Sequence, residues 1–320
     1  MCSEHCVDHF QSQITAPHVF LNLVRFSQAV ILLAAWACLA DVPSTEARRP
    51  AALRSKRLVG GTLAPDVPWQ AMVYLADSIL DGGFAGGALI SDRWVLTAGR
   101  NLFVRKSRQD IQGKDPLIPK VYLGITRKDE AVTSKEVAVE KVVLHPGFQA
   151  NSDWDNDLAL IQLKDPVTIG KKITPIPLPE RGQDFDQGSG VIAGWGWGAL
   201  LSPAESLKRL VLPLSNHSDC KSEYSSTNMP AVDDNMFCTG HTDFQENVCF
   251  GDAGGALAVT DPVSGDVYAA GILSYDKACS RQNYAVYMKI SAYLPWIHSV
   301  VRGDTAESPA VRRNAMPQMP

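Results

Sequence analysis

The chain has 320 residues, 45% of them hydrophobic and 20% charged, with a formal net charge of -4. That length and apolar content can bury a substantial core in one large domain. With no long basic run, the composition supplies no electrostatic ground for nucleic acid, heparin or an anionic membrane as the main partner, and leaves a protein or a small molecule.

In chain order, the first element is an apolar run over residues 29–40, preceded by Arg25 and followed by Asp41-Val42-Pro43. It fits the core of a secretory signal with a small-residue cleavage site, Ala40 being the last residue removed. The run falls short of the about 20 apolar residues of a membrane span, so none is expected in the mature form. The long leader leaves a signal anchor or a misassigned start codon as alternatives. Removing residues 1–40 discards Cys2, Cys6 and Cys38 and leaves Cys220, Cys238, Cys249 and Cys279, an even set that suits an exported chain. From sequence alone, four cysteines admit three connectivities. Cys2, His5, Cys6 and His9 have a metal-like spacing, but they lie upstream of the cleavage, and no metal or cofactor is expected in the product.

Residues 41–57 are basic and rich in Pro, Ala and Arg, without apolar periodicity, which predicts a mobile propeptide-like arm. The arm ends in Arg54-Ser55-Lys56-Arg57; a convertase or trypsin-like enzyme cuts after Arg57 to expose Leu58, or the run stays an uncut solvated stretch. Short segments rich in Val, Ile, Leu and aromatics follow at 70–75, 87–90, 94–97, 120–123, 137–144, 158–163, 190–194, 208–214, 256–260, 267–273 and 285–290. Gly, Pro, Asp and Ser clusters separate them, a rhythm that predicts an all-β barrel or sandwich. Over 291–301, Leu294, Ile297, Val300 and Val301 recur at helical spacing and predict a terminal helix. The chain thus divides into a leader (1–40), an arm (41–57), a domain (58–302) and a disordered tail (303–320) carrying Pro309, Pro317 and Pro320.

Markers spread over 58–301 carry a resemblance to a known family. They are Leu58-Val59-Gly60-Gly61, Pro68-Trp69-Gln70, Gly86-Gly87, Trp94-Val95-Leu96-Thr97-Ala98, Asp157-Leu158-Ala159-Leu160, Gly194-Trp195-Gly196, Gly251-Asp252-Ala253-Gly254-Gly255 and Tyr293-Leu294-Pro295-Trp296-Ile297, in that order. The domain resembles the chymotrypsin- and trypsin-like serine proteases. That resemblance implies a double six-stranded β-barrel with a C-terminal helix. It also places Arg100 in the slot of the catalytic histidine, Asp157 in that of the aspartate and Ala253 in that of the nucleophilic serine. A guanidinium stays protonated and accepts no proton, and a methyl group does not attack a carbonyl. The resemblance therefore implies a protease homologue that is not an enzyme, with the amides of Gly251 and Ala253 left as an oxyanion-type pocket.

Other family positions carry over in the same way. Asp157 pairs with Arg100 or is held by backbone amides. Asn247 stands where trypsin has the carboxylate that attracts basic side chains, Ala285 replaces a pocket glycine, and Tyr275-Asp276 stand for Trp-Gly. Asp252 matches the aspartate that pairs with the amino terminus freed by activation, here Leu58. The implied bridges are Cys220–Cys238 and Cys249–Cys279. The bridge beside the catalytic histidine is vacated at both ends, with Ala85 and Asn101 in its places.

Narrower stretches resemble the haptoglobin family: 98–103, 140–146, 249–254 and 268–279, among them Ala98-Gly99-Arg100-Asn101-Leu102-Phe103. This implies capture of the αβ dimer of free haemoglobin without haem ligation by this chain, limitation of haem-iron damage in plasma, and clearance by a macrophage scavenger receptor. The arm is too short for the complement-control module of mammalian haptoglobins, and Pro177 stands where they join two chains, so a short form as in fishes is implied. The alternatives are a pseudoprotease cofactor that docks on another protease or a microbial surface, and a working endopeptidase. Asn216-His217-Ser218 is an N-glycosylation sequon. His145, His217, His241 and His298 have no metal-like grouping, and Trp195 and Trp197 read as barrel packing beside glycine turns.

Overall fold

The computed structural model describes residues 61–64, 67–75, 83–102, 116–148, 154–180, 183, 185, 187–197, 204–225, 230–240, 247–276, 279, 283–303 and the backbone of 311–312. The signal core, the cleavage at Ala40, the arm and the junction at Arg57 and Leu58 lie outside them, as does His241.

Two antiparallel sheets carry the fold. The first contains β2 (Gln70–Tyr74), β3 (Phe84–Leu89), β4 (Trp94–Thr97), β5 (Lys120–Leu123), β6 (Glu136–Val137), β7 (Val139–Leu144), β8 (Ala159–Leu163) and β15 (Val311–Arg312), in the order β15-β7-β8-β4-β3-β2-β5-β6. The second contains β1 (Thr62–Leu63), β9 (Ser189–Gly194), β10 (Lys208–Pro213), β11 (Met236–Thr239), β12 (Ala256–Thr260), β13 (Val267–Asp276) and β14 (Ala285–Lys289), in the order β1-β10-β9-β12-β13-β14-β11. Each sheet has six strands of four residues or more, matching the six-stranded expectation; β1, β6 and β15, two residues each, extend the edges. The tail read as disordered supplies β15, which pairs Val311 and Arg312 with Val142 and Lys141 along the open edge of β7.

Both faces of most strands are buried, because each sheet curls around its own core and packs against the other. Side chains alternate along a strand. In β2, Ala71 and Val73 enter the core of the first sheet, while Met72 joins Ala193, Trp195 and Leu207 of the second half. In β13, Tyr268 and Ala270 fill the second sheet's core, while Ala269 and Ile272 meet Leu96, Leu158 and Leu160 across the largest shared core. This two-sided burial makes the strands near-continuous apolar runs and hides the period-2 alternation of a one-sided sheet.

Two α-helices complete the described fold. The second, α2 (Ile290–Arg302), lays Tyr293, Leu294, Ile297 and Val300 on the shared core and ends at Gly303, whose φ of 82° suits the left-handed cap. The first, α1 (His217–Ser225), was not expected from sequence, since Cys220 and Tyr224 alone among its nine residues are buried. Tertiary contacts hold α1: Cys220 is bridged to Cys238, and the Tyr224 hydroxyl donates to the Tyr284 carbonyl at 2.7 Å. Cys249 is bridged to Cys279.

Candidate functional site

Three loops meet beside the shared core. A 3-10 turn (Gly99–Leu102) after β4 carries Arg100, and the turn before β8 carries Asp157; the loop before β12 carries Ala253. The first turn needs glycine at 99, where a Cβ would come within 3.1 Å of the Phe148 ring and 3.2 Å of the Leu158 carbonyl. The loop at Ala253 needs Gly251 and Gly254, whose φ angles are 91° and 89°.

Asp157 is fully buried, and both its oxygens are occupied. Oδ1 accepts the Arg100 amide at 2.7 Å, and Oδ2 accepts the Ser274 hydroxyl at 2.5 Å. The Arg100 Nε stands 3.9 Å from Oδ2, an ion pair too long to be a hydrogen bond. Its guanidinium lies 4.8 Å from the centre of the Trp154 ring, a cation–π contact. Backbone amide and side-chain cation therefore both hold the carboxylate. Burial pushes the Asp157 carboxyl up to about 6, against the opposing pull of Arg100, Ser274 and the amides of Arg100 and Gly99.

At the third loop, Ala253 presents a methyl group that is 3% exposed. Its carbonyl accepts the Asn101 side-chain amide at 2.8 Å and the Gly86 amide at 2.8 Å. Asn101 also donates to Thr97 Oγ1 at 3.3 Å, and Thr97 donates to the Gly86 carbonyl at 2.7 Å. Asn101, one end of the vacated bridge, thus ties the Arg100 turn to the Ala253 loop without a covalent bond.

The neighbouring pocket wall is internally bonded. Asn247, 2% exposed, donates to the Asn283 carbonyl at 2.9 Å and accepts the Val248 amide at 2.8 Å. Tyr275 directs its hydroxyl to the carbonyls of Pro230 and Ala231 at 3.2 and 3.3 Å, and its ring packs on Tyr224 and Trp154. Ala285 is fully buried. The carboxylate at these positions, Asp276, is half-buried and accepts the Cys279 amide at 2.7 Å.

Asp252 is 1% exposed. It accepts the Gly196 amide at 2.8 Å and the Cys249 amide at 3.0 Å, and a side chain at Gly194 or Gly196 would collide with its carboxylate. Burial pushes its carboxyl up to about 7, opposed chiefly by those two amides. Lys128, whose Nζ stands 4.5 Å from the Phe84 ring centre, is the cation that lowers it further. Burial in turn depresses the Lys128 ammonium.

Elsewhere, Asn216 is exposed before α1, and its Oδ1 accepts the Ser218 amide at 2.9 Å and the Ser218 hydroxyl at 2.7 Å. His145 packs edge-on against Tyr293 and Trp296, and its Nδ1 accepts the Gly147 amide at 3.1 Å. Trp195 donates to the Thr126 carbonyl at 3.2 Å, and Trp197 packs edge-on against Phe250, which is 44% exposed. Sequence reasoning missed Ser274, Trp154 and Lys128, and saw Asn101 as a lost cysteine and as part of the 98–103 stretch, not as a tie between loops. The available signal was that Asn101 and Ser274 lie inside stretches, 98–103 and 268–279, that already carried the family likeness.

The family model described as Trypsin matches residues 58–297. Haptoglobin from Mesocricetus auratus is 33% identical over 263 residues, spanning 77% of this chain and 70% of that protein. Haptoglobin from Canis lupus familiaris is 32% identical over 266 residues, spanning 78% and 75%. Haptoglobin-related protein from Homo sapiens is 31% identical over 261 residues, spanning 77% and 70%.

Proposed function

We propose a function from one premise: the chain belongs to the trypsin-like serine protease family, within its haptoglobin branch. The protein is a secreted scavenger that binds the αβ dimer of free haemoglobin in plasma and limits haem-iron damage, with later clearance by a macrophage scavenger receptor. It cuts no peptide bond and needs no cofactor. One observation supports this above the rest: the cleft is built for permanence. Its cation is held on Trp154 and Asp157, its methyl-bearing loop is tied by Asn101, and Asn247 is buried and bonded to the Asn283 carbonyl. With neither proton acceptor nor nucleophile at these places, proteolysis has no route. The surface left to natural selection is the exterior of two packed sheets, which is a platform for binding a protein.

The deciding experiment is gel filtration of the secreted protein with haemoglobin at micromolar concentration. Co-elution is expected, and separate peaks overturn the assignment. A fluorophosphonate probe, which labels activated serines, leaves the protein unmarked if the non-enzymatic reading holds.

The remaining site roles belong to the same proposal. A cut after Arg57 frees the Leu58 ammonium, and Asp252 is its partner; what supports the pairing is a buried carboxylate with only amide donors and a half-buried lysine nearby. In the uncut chain, Lys128 supplies the opposing charge. The leader is removed after Ala40, and Asn216 carries a glycan.

A further inference from the structure

A cavity of about 450 Å³ opens beside α1 on the second sheet, with none of the cleft residues in its lining. Its floor is apolar: Phe185 and Phe237 meet edge-on at 5.9 Å, with Leu214 and Met236 beside them. Its rim is polar and includes Asn216 and Asp234. Asp234 is pulled below the usual carboxylate range, first by its hydrogen bond to Lys221 and also by His217, so it stays an ionised acceptor at neutral pH. The volume lies in the range of about 300–1,000 Å³ that holds small ligands, and an apolar floor with a few placed polar groups is the usual composition of such sites.

The rim residue that stands in a sequon for covalent N-glycosylation is Asn216. Its Oδ1 is fixed by two bonds from Ser218, which orients the amide plane and leaves Nδ2 to bear a substituent. A pyranose has the same division as the cavity, with an apolar face of C–H bonds and a rim of hydroxyl and acetamido groups.

We propose that this cavity is the seat of an N-linked glycan on Asn216, whose proximal N-acetylglucosamine packs on Phe185 and the apolar floor and turns its polar edge to Asp234. The inference rests on the export proposed above and deepens the role given there to Asn216. The glycan is installed on the unfolded chain from a lipid pyrophosphate-linked oligosaccharide. Asn216 Nδ2 forms a bond to C1 of the sugar as the bond from C1 to the pyrophosphate oxygen breaks; Nδ2 loses one proton, the lipid pyrophosphate leaves, and nothing is oxidised or reduced. Folding then closes α1 on Cys238 and brings the first sugar over the floor.

The test uses the full chain secreted from a eukaryotic cell. Peptide mass spectrometry reads occupancy at Asn216, and an endoglycosidase trims the glycan to a single N-acetylglucosamine. Hydrogen exchange is then compared over 214–217 and 234–237. S218A abolishes the sequon while keeping Asn216, and S218T keeps the sequon while changing the same residue. Wild type and S218T are expected to be glycosylated, and their trimmed forms to exchange about tenfold more slowly in these segments than S218A. F185A, glycosylated but lacking the floor ring, is expected to lose that difference. An unmodified Asn216 in the secreted protein, or trimmed wild type exchanging as fast as S218A, overturns the proposal. Haemoglobin co-elution of S218A tests the scavenger reading separately, since loss of the seat leaves that binding unchanged.

Discussion

Replacing Asp157 by asparagine should reverse part of the protein's pH dependence. The carboxyl is fully buried and pushed up to about 6, whereas an unfolded aspartate titrates near its ordinary value of about 3.9. Because the folded value is the higher, the folded state holds the proton more tightly, and stability is lost as pH rises from about 4 to about 6. The gap is about two pH units, each worth about 1.4 kcal/mol, so charging Asp157 costs the folded protein about 3 kcal/mol. Asparagine resembles the protonated acid: its oxygen accepts the Arg100 amide, and the Ser274 hydroxyl rotates to accept from its NH₂. Urea unfolding of wild type and D157N at pH 4 and pH 8 isolates the effect, because Asp252 and every other group cancel in the comparison. D157N is expected to gain about 3 kcal/mol on wild type between the two pH values. For a domain of this size that is a relative rise in Tm of about 6–12 °C. Parallel profiles would refute the reasoning, and so would a variant that loses ground at pH 8, which would mean that the Arg100 ion pair outweighs burial.

Three further outcomes follow from the same geometry. N101A should lower stability by about 1–2 kcal/mol, read as a fall in Tm of about 2–8 °C, because the bonds to the Ala253 carbonyl and to Thr97 Oγ1 disappear while the Ala253 carbonyl keeps the Gly86 amide; an unchanged Tm would mean that the link carries no load. G196A should fail to accumulate as folded protein, because a methyl group there overlaps the Asp252 carboxylate, and normal secretion and Tm would contradict the buried position of that group. A253S alone should remain unlabelled by a fluorophosphonate, while R100H with A253S should react, since Asp157 is already placed to orient an imidazole; labelling of the single variant would show a proton acceptor other than the one at position 100.

The parts of the fold that could be read along the chain are those with a local signal. α2 was legible because Leu294, Ile297 and Val300 recur at helical spacing on one buried face. The strands were legible as short apolar runs between turns, although their sheet and register were not. α1 was not legible, because nine mostly polar residues with two buried side chains have no face to detect. The tail's β15 was hidden for a related reason: two residues gain their order from the edge of β7 and contain no pattern of their own. At the cleft, both readings of Asp157 proved compatible, an amide on one oxygen and a distant cation by the other.

What the sequence determined by itself is the reactivity on offer at two positions, because a guanidinium at 100 accepts no proton and a methyl at 253 attacks no carbonyl wherever they are put. What surrounds these positions was decided only by the tertiary structure. Asn101 reaches a carbonyl 152 positions away, and Ser274 reaches a carboxylate 117 positions away. Such contacts exist only once two curled sheets have packed and brought their loops to one edge, and no local pattern encodes them.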